Sequence, residues 1–342
     1  MQASSAMVWA IGFFVAGICA ASLFPFSQSI FFYLCVLLTV VLCVSVFNKN
    51  IRIVAIFFVF MLFGFLRAQS GSINIPYVEY AVTPLENIRD AFVGNVVRAL
   101  PEPHASYISG ILVGAKSGIP YDLKEAFRST GTSHILALSG YNVTIIARTL
   151  ERIIPSMWFS GSFIFLFVIA TGAASSLVRA AIMGGIVLLA KSEKREYSAP
   201  HALAVAVLIM LVFDPGLLLG DIGFQLSVAA TLGLVYFERP IGARLQFMPK
   251  VFGFRDALIS TLAAEVATLP LVLWYFGFFS PFAPIVNMLV LPTIPAVMFV
   301  GFLVGVFGFA SPMLATMIAW PVYLLSTYQI TLIKFFASIS IF

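Results

Sequence analysis

The chain has 342 residues, 61% of them hydrophobic and only 10% charged. A soluble domain carries roughly 25% charged residues, so this chain cannot clothe a water-facing surface, and lipid must be its main solvent. The formal charge of +5 does not by itself point to a nucleic-acid partner, because cytoplasmic loops of membrane proteins carry surplus Lys and Arg.

Apolar runs over 6–24, 28–47 and 51–67 each approach the ~20 residues a spanning helix needs, which predicts three closely spaced spans. The first lacks a basic segment ahead of it and reads as a retained span rather than a cleaved leader. Cys19, Cys35 and Cys43 sit in these runs; their spacing is not that of a metal site, and an odd count argues against a complete disulfide set.

Residues 68–130 are polar enough to leave the hydrocarbon. Thr83-Pro84-Leu85-Glu86 reads as a capping box with proline at the first helical position. Leu85, Ile88, Phe92, Val96 and Leu100 then recur at helical spacing. Asp122 and Glu125 repeat the start signal, and Leu123, Ala126 and Phe127 form an apolar face opposite Lys124, Glu125 and Arg128. Both segments are expected to lie in the membrane interface, and their charges nearly cancel, leaving no basic landing patch for DNA.

Apolar runs resume near 131–150, 158–172, 174–191, 199–213, 220–237 and 256–276. The stretch 282–342 holds two or three more, interrupted by Pro292, Pro295, Pro312 and Pro321. The expected fold is an all-α integral membrane protein: a polytopic helical bundle of about 9–12 spans, with discontinuous helices and amphipathic interfacial helices. It divides into an N-terminal three-span region (1–70), an extracytoplasmic interfacial region (71–130) and a transmembrane channel core (131–342).

Two spans are expected to be broken: the fourth, weakened by Gly131, Thr132-Ser133-His134 and Gly140, and the ninth, interrupted by Pro270. Lys49 and Arg52, Arg148 and Arg152, Lys191, Lys194 and Arg195, and Arg239, Arg244, Lys250 and Arg255 mark the basic loops. An N-terminus in the cytoplasm puts all of them inside.

Polar groups inside spans are costly and generally face a bundle interior or an aqueous cavity. The proposed topology puts His134, Arg179, Asp221 and Gln225 in the outer third, Ser139 and Glu265 near the midplane, and Asn287 in the outer half. Several helices thus bring polar side chains to shared depths, as a pathway requires. Each also has a structural reading: Arg179 can snorkel to the interface, Glu265 can be a protonated carboxyl bonded to a neighbour, and His134 and Asn142 can join helices. Ser139-Gly140 can simply allow close packing.

Enzyme signatures are missing. The chain holds no GxxxxGK[ST] phosphate loop and no HExxH pattern. His134 and Ser139, five apart, would point to different faces of one helix, against an intramembrane protease. No catalytic role and no cofactor is expected.

Three blocks carry a family resemblance: FRSTGTSHILALSGYNVTIIA at 127–147; VRAAIMGGIVLLA at 178–190 continuing through DPGLLLGDIGFQLSVAATLGL at 214–234; and AAEVATLPLVLWYFGFFSPFAPIVNMLVLP at 263–292. In order and spacing they resemble the ComEC family, the competence channels that carry single-stranded DNA inward during natural transformation. The resemblance covers roughly 85–310 and implies a multi-pass channel in the bacterial cytoplasmic membrane. The positions matching the family's motifs are His134, Ser139, Gly140, Arg179, Asp221, Gly223, Phe224, Gln225, Ser227, Thr268, Pro270 and Asn287.

Tyr141-Asn142 stands where many relatives have leucine and histidine, and asparagine cannot take up a proton near neutral pH. The OB-like and metallo-β-lactamase-like domains of long relatives have no counterpart, and no HxHxDH run is present. A separate nuclease, a DNA receptor and a cytoplasmic helicase-like or strand-binding partner are therefore expected, and the chain can oligomerise. The rival readings are a small-solute or ion-coupled secondary transporter using Glu265 and His134, and a non-transporting scaffold.

Overall fold

The computed structural model describes residues 3–23, 49–71, 77–115, 117–136, 138, 140–154, 156–193, 196–249 and 251–339. The expected second span at 28–47, with Cys35 and Cys43, and Ser139 lie outside these described residues. Regular structure among them is helical throughout. In chain order the helices are α1 (Ala3–Leu23), α2 (Lys49–Gln69), α3 (Tyr77–Ala99), α4 (His104–Val113), α5 (Tyr121–Ser129), α6 (Ser133–Leu136), α7 (Gly140–Ile153) and α8 (Met157–Ala170). They continue with α9 (Ser175–Ser192), α10 (Ala199–Phe213), α11 (Leu217–Gly220), α12 (Ile222–Arg244), α13 (Phe254–Phe276) and α14 (Ala283–Val290). A 3₁₀ turn (Leu291–Thr293) leads into α15 (Ile294–Ala310), and α16 (Pro312–Ile339) follows.

Among the described residues, four stretches are long and apolar enough to cross a bilayer: α9, α13, α14 continued through α15, and α16. Shorter apolar stretches lie in α1, α2, α4, α8 and α10. Bulky side chains such as Trp158, Trp274 and Trp320 are turned outward, as they are when lipid surrounds a bundle. The chain is a multi-pass, all-α membrane protein.

The described residues form two compact units. The first comprises residues 1–75 and 196–225. Here α1 and α2 pack closely through glycine: a Cβ on Gly17 would strike the Met61 carbonyl, and one on Gly64 would strike that of Phe14. Lipid supplies no hydrophobic drive between apolar helices, so such close approach is what holds them. Arg67 ends α2 by donating from Nε to the Val212 carbonyl (2.5 Å) and from Nη2 to that of Phe213 (2.8 Å). These are orphan carbonyls at the C-terminus of α10, where a cation also suits the helix dipole.

The second unit comprises residues 76–195 and 226–342. Its main core joins α3, α4, α5, α14, α15 and α16. The glycines of α15 admit the neighbours: Gly301 meets Ile108 and Leu112 of α4, and Gly305 meets Phe92 of α3. Every residue of α4 from His104 to Leu112 is buried, a depth that its polar flanks did not signal. The face of α5 falls as its pattern predicts, with Leu123, Ala126 and Phe127 buried and Lys124, Glu125 and Arg128 exposed.

Two boundary expectations fail. The helix expected to start at Thr83 starts at Tyr77 and carries Pro84 inside it. The expected break at Pro270 is absent, because α13 runs on to Phe276. In both places proline deletes one backbone bond and the adjoining turns continue the helix.

Candidate functional site

The fourth expected span is interrupted, and its residues show how. Gly131 adopts φ +69°, the left-handed region that ends helices. A side chain there would also press on Ala283 Cβ at 2.7 Å. The Thr132 N–H reaches back to the Phe127 carbonyl (2.8 Å), and the buried hydroxyls of Thr130 and Thr132 bond each other at 2.8 Å. Between α6 and α7 the described residue, Leu138, is not helical, and α7 begins at Gly140. The carbonyl of Leu138, within this break, accepts a hydrogen bond from Ser176 Oγ at 3.0 Å. Irregular backbone at membrane depth persists only when protein or water satisfies it, and here α9 does so.

Arg179 lies one turn beyond Ser176 on α9 and is 7% exposed. Its Nε donates to Ser227 Oγ (2.9 Å) and its Nη1 to Thr231 Oγ1 (2.6 Å). Ser227 and Thr231 are four apart and share one face of α12. Gly140 opens α7 against the same group: a Cβ there would lie 3.4 Å from Arg179 Nη2 and 3.2 Å from Ala180 Cβ. A guanidinium thus stands beside the first residue of a fourteen-residue helix, where backbone N–H groups carry partial positive charge. The combination attracts anions. Gly140, Arg179 and Ser227 are the predicted site residues that the fold brings together.

The others take separate places. His134, on α6, is exposed. Asn142 Nδ2 donates to the Ile111 carbonyl at 3.1 Å, satisfying an orphan carbonyl in the last turn of α4. Asp221 and Gln225 belong to the first unit. The Asp221 carboxylate accepts the Phe224 N–H at 2.9 Å, as an N-cap does, and Gln225 Nε2 donates to the Leu218 carbonyl at 2.9 Å. On α13, Ala263 and Ala267 meet Gly233 of α12. Glu265 is two residues from each, about 200° around the helix from that contact. Asn287, 1% exposed on α14, keeps Oδ1 without a hydrogen-bond partner among the described residues.

Sequence reasoning missed Thr231, whose signal was a hydroxyl one turn after Ser227. It also missed a buried polar seam between α4 and α16. There His104 Nδ1 bonds Ser326 Oγ (2.9 Å), Tyr107 Oη donates to Gln329 Oε1 (2.9 Å), and Gln329 Nε2 donates to Thr293 Oγ1 (2.6 Å). The matching three-residue spacing on both helices was available in the sequence. Among the described residues no group of three His, Cys, Asp or Glu is placed to hold a metal ion.

The Competence protein family matches residues 111–342. ComE operon protein 3 of Bacillus subtilis is 26% identical over 234 residues, covering 62% of this chain and 29% of that protein. The uncharacterized protein YcaI of Escherichia coli is 21% identical over 230 residues, covering 62% of this chain and 30% of its own. The chain thus spans less than a third of the length of these curated relatives. No solved structure matches it. The matched segment takes in the interrupted α6–α7 stretch, Arg179 and its α12 partners, and the α13–α14 region, and on that match this chain belongs to the competence protein family, the ComEC-type membrane proteins.

Proposed function

We propose that this chain is the membrane-embedded part of a conduit that passes single-stranded DNA across the bacterial cytoplasmic membrane during natural transformation. The observation that carries the reading is the meeting of Arg179 with the N-terminus of α7 across Gly140. A phosphodiester strand crossing a bilayer needs cationic, hydrogen-bonding surface in place of water, and a guanidinium beside a helix N-terminus offers both charge and directed donors. Ser227 and Thr231 hold the guanidinium in place, and Ser176 braces Leu138 just ahead of the helix. In this reading His134, exposed at the head of the same interrupted stretch, serves as an entry-side contact. With the N-terminus in the cytoplasm, the basic loops lie at the exit. Driving force comes from a cytoplasmic helicase-like or strand-binding partner, and strand degradation from a nuclease.

The test is entry of labelled single strands into liposomes carrying the inserted protein, compared with Arg179→Gln. Loss of strand entry with unchanged insertion supports the reading. Equal entry through both proteins overturns the role of Arg179, and entry of small solutes but not of strands favours the transporter alternative.

A further inference from the structure

Helices α3 and α15 touch along Phe92, Gly305 and Phe302. Next to this contact, two small residues, Gly94 and Gly308, leave an open hollow of about 690 Å³, lined also by Ala91, Asn95, Arg98 and Phe309. Its polar part is built. Asn95 is 3% exposed; its Nδ2 donates to the Gly305 carbonyl at 2.9 Å, and its Oδ1 accepts from Arg98 Nη2. A buried amide fixed to the backbone of one helix therefore steadies an exposed cation on the other. Among the described residues Arg98 forms no ion pair.

The surroundings are apolar. Phe309 is 57% exposed, Val97 47% and Ile88 61%; Ile88, Ala91, Asn95 and Arg98 recur at helical spacing along α3. The depth is fixed by the neighbours: Gly308 and Phe309 are in the last turn of α15, just before α16 begins at Pro312. The hollow thus opens where a spanning helix reaches the membrane face, with charge at the end of the helices and hydrocarbon surface along them.

We infer that this hollow is a binding site for an anionic phospholipid, with the headgroup phosphate on Arg98 and an acyl chain against Phe309 and Ile88. A soluble anion would use only the charged end, whereas a phosphodiester lipid matches both the cation and the apolar wall. The site is separate from the Arg179 region and does not depend on DNA passage.

The experiment is capture of a photoactivatable phosphatidylglycerol by the full chain in phosphatidylcholine vesicles, with the labelled segment mapped by mass spectrometry. Labelling is expected on α3 and the end of α15. Arg98→Gln should weaken it about fivefold, the worth of one interfacial cation. Gly94→Leu, for which no atom lies within 4 Å of an added Cβ, should fill the hollow and weaken labelling while leaving Arg98 in place. Arg128→Gln, an exposed arginine elsewhere, should change nothing. Equal labelling by a phosphatidylcholine probe, or unchanged labelling in both Arg98→Gln and Gly94→Leu, overturns the proposal. Displacement by inorganic phosphate makes the site a free-anion site, and displacement by single-stranded DNA a nucleic-acid site; either overturns it too.

Discussion

The α4–α16 seam and the Arg179 crossing are both polar, both buried and both assembled from side chains one helical turn apart, yet they differ in kind. In the seam, neutral groups close on one another: Tyr107 and Gln329 are 0% exposed, and each finds its partner within the core. At the crossing, a permanent cation rests on two hydroxyls and faces the start of a helix that has been cut out of a longer span. Polarity inside a membrane bundle is therefore no mark of a pathway by itself. A satisfied neutral network is interhelical glue; a fixed charge beside a helix N-terminus favours an anion.

The sharpest way to break this contrast is to alter each region and measure stability and uptake separately. Arg179→Gln should lower DNA uptake per inserted molecule roughly tenfold or more, given about 1.5–3 kcal/mol for a charged hydrogen bond, while losing the bonds to Ser227 and Thr231 should cost only about 1 kcal/mol in detergent unfolding. Gln329→Leu should do the reverse. It strands the buried Tyr107 hydroxyl and costs about 1–3 kcal/mol in unfolding free energy, while uptake per folded molecule stays constant. If Gln329→Leu abolishes uptake in stable protein, the seam is not mere glue.

Smaller effects sharpen the crossing itself. Ser227→Ala and Thr231→Val should each cost about 0.6 kcal/mol, the average for such bonds in bundles. Because both hold one guanidinium, the double variant should deviate from additivity, which a double-mutant cycle in unfolding would read. The smallest effect concerns the exposed pair of Asp122 on α5 and Lys334 on α16, 2.9 Å apart. The hydrogen bond from Lys334 holds the Asp122 carboxyl below its ordinary value of 3.8. A depressed folded-state value means the contribution is present above the unfolded value and is lost as pH falls through the folded one. Wild-type and Asp122→Asn unfolding curves should therefore differ slightly near neutrality and converge in acid.

What could be read from the sequence follows from which forces are local. The apolar runs gave α10 at its observed limits, 199–213, and the face of α5, because lipid and core select side chains residue by residue. The interruption after Gly131 was legible because glycine and clustered hydroxyls weaken a helix wherever they stand. Pro84 and Pro270 misled for the complementary reason: the local loss is real, but the flanking turns hold. Asp221 carried a charge that suggested a channel lining, and the fold uses it to cap α12. Glu265 was expected to share a depth with other polar groups, but it faces away from the contact with α12. Depth along a helix is written in the sequence, whereas azimuth is decided by neighbours. The burial of α4 was invisible for the same reason, since its partners lie some two hundred residues away on α15 and α16.

The bond from the Ser176 hydroxyl to the Leu138 carbonyl has a mechanical corollary. Ser176 and Arg179 ride on the same turn of α9, so the strut that braces the interrupted segment and the arm that bears the positive charge share one beam. Any rearrangement that shifts Leu138 relative to α9 must snap that strut, and one that preserves it must carry Leu138 and the cation together.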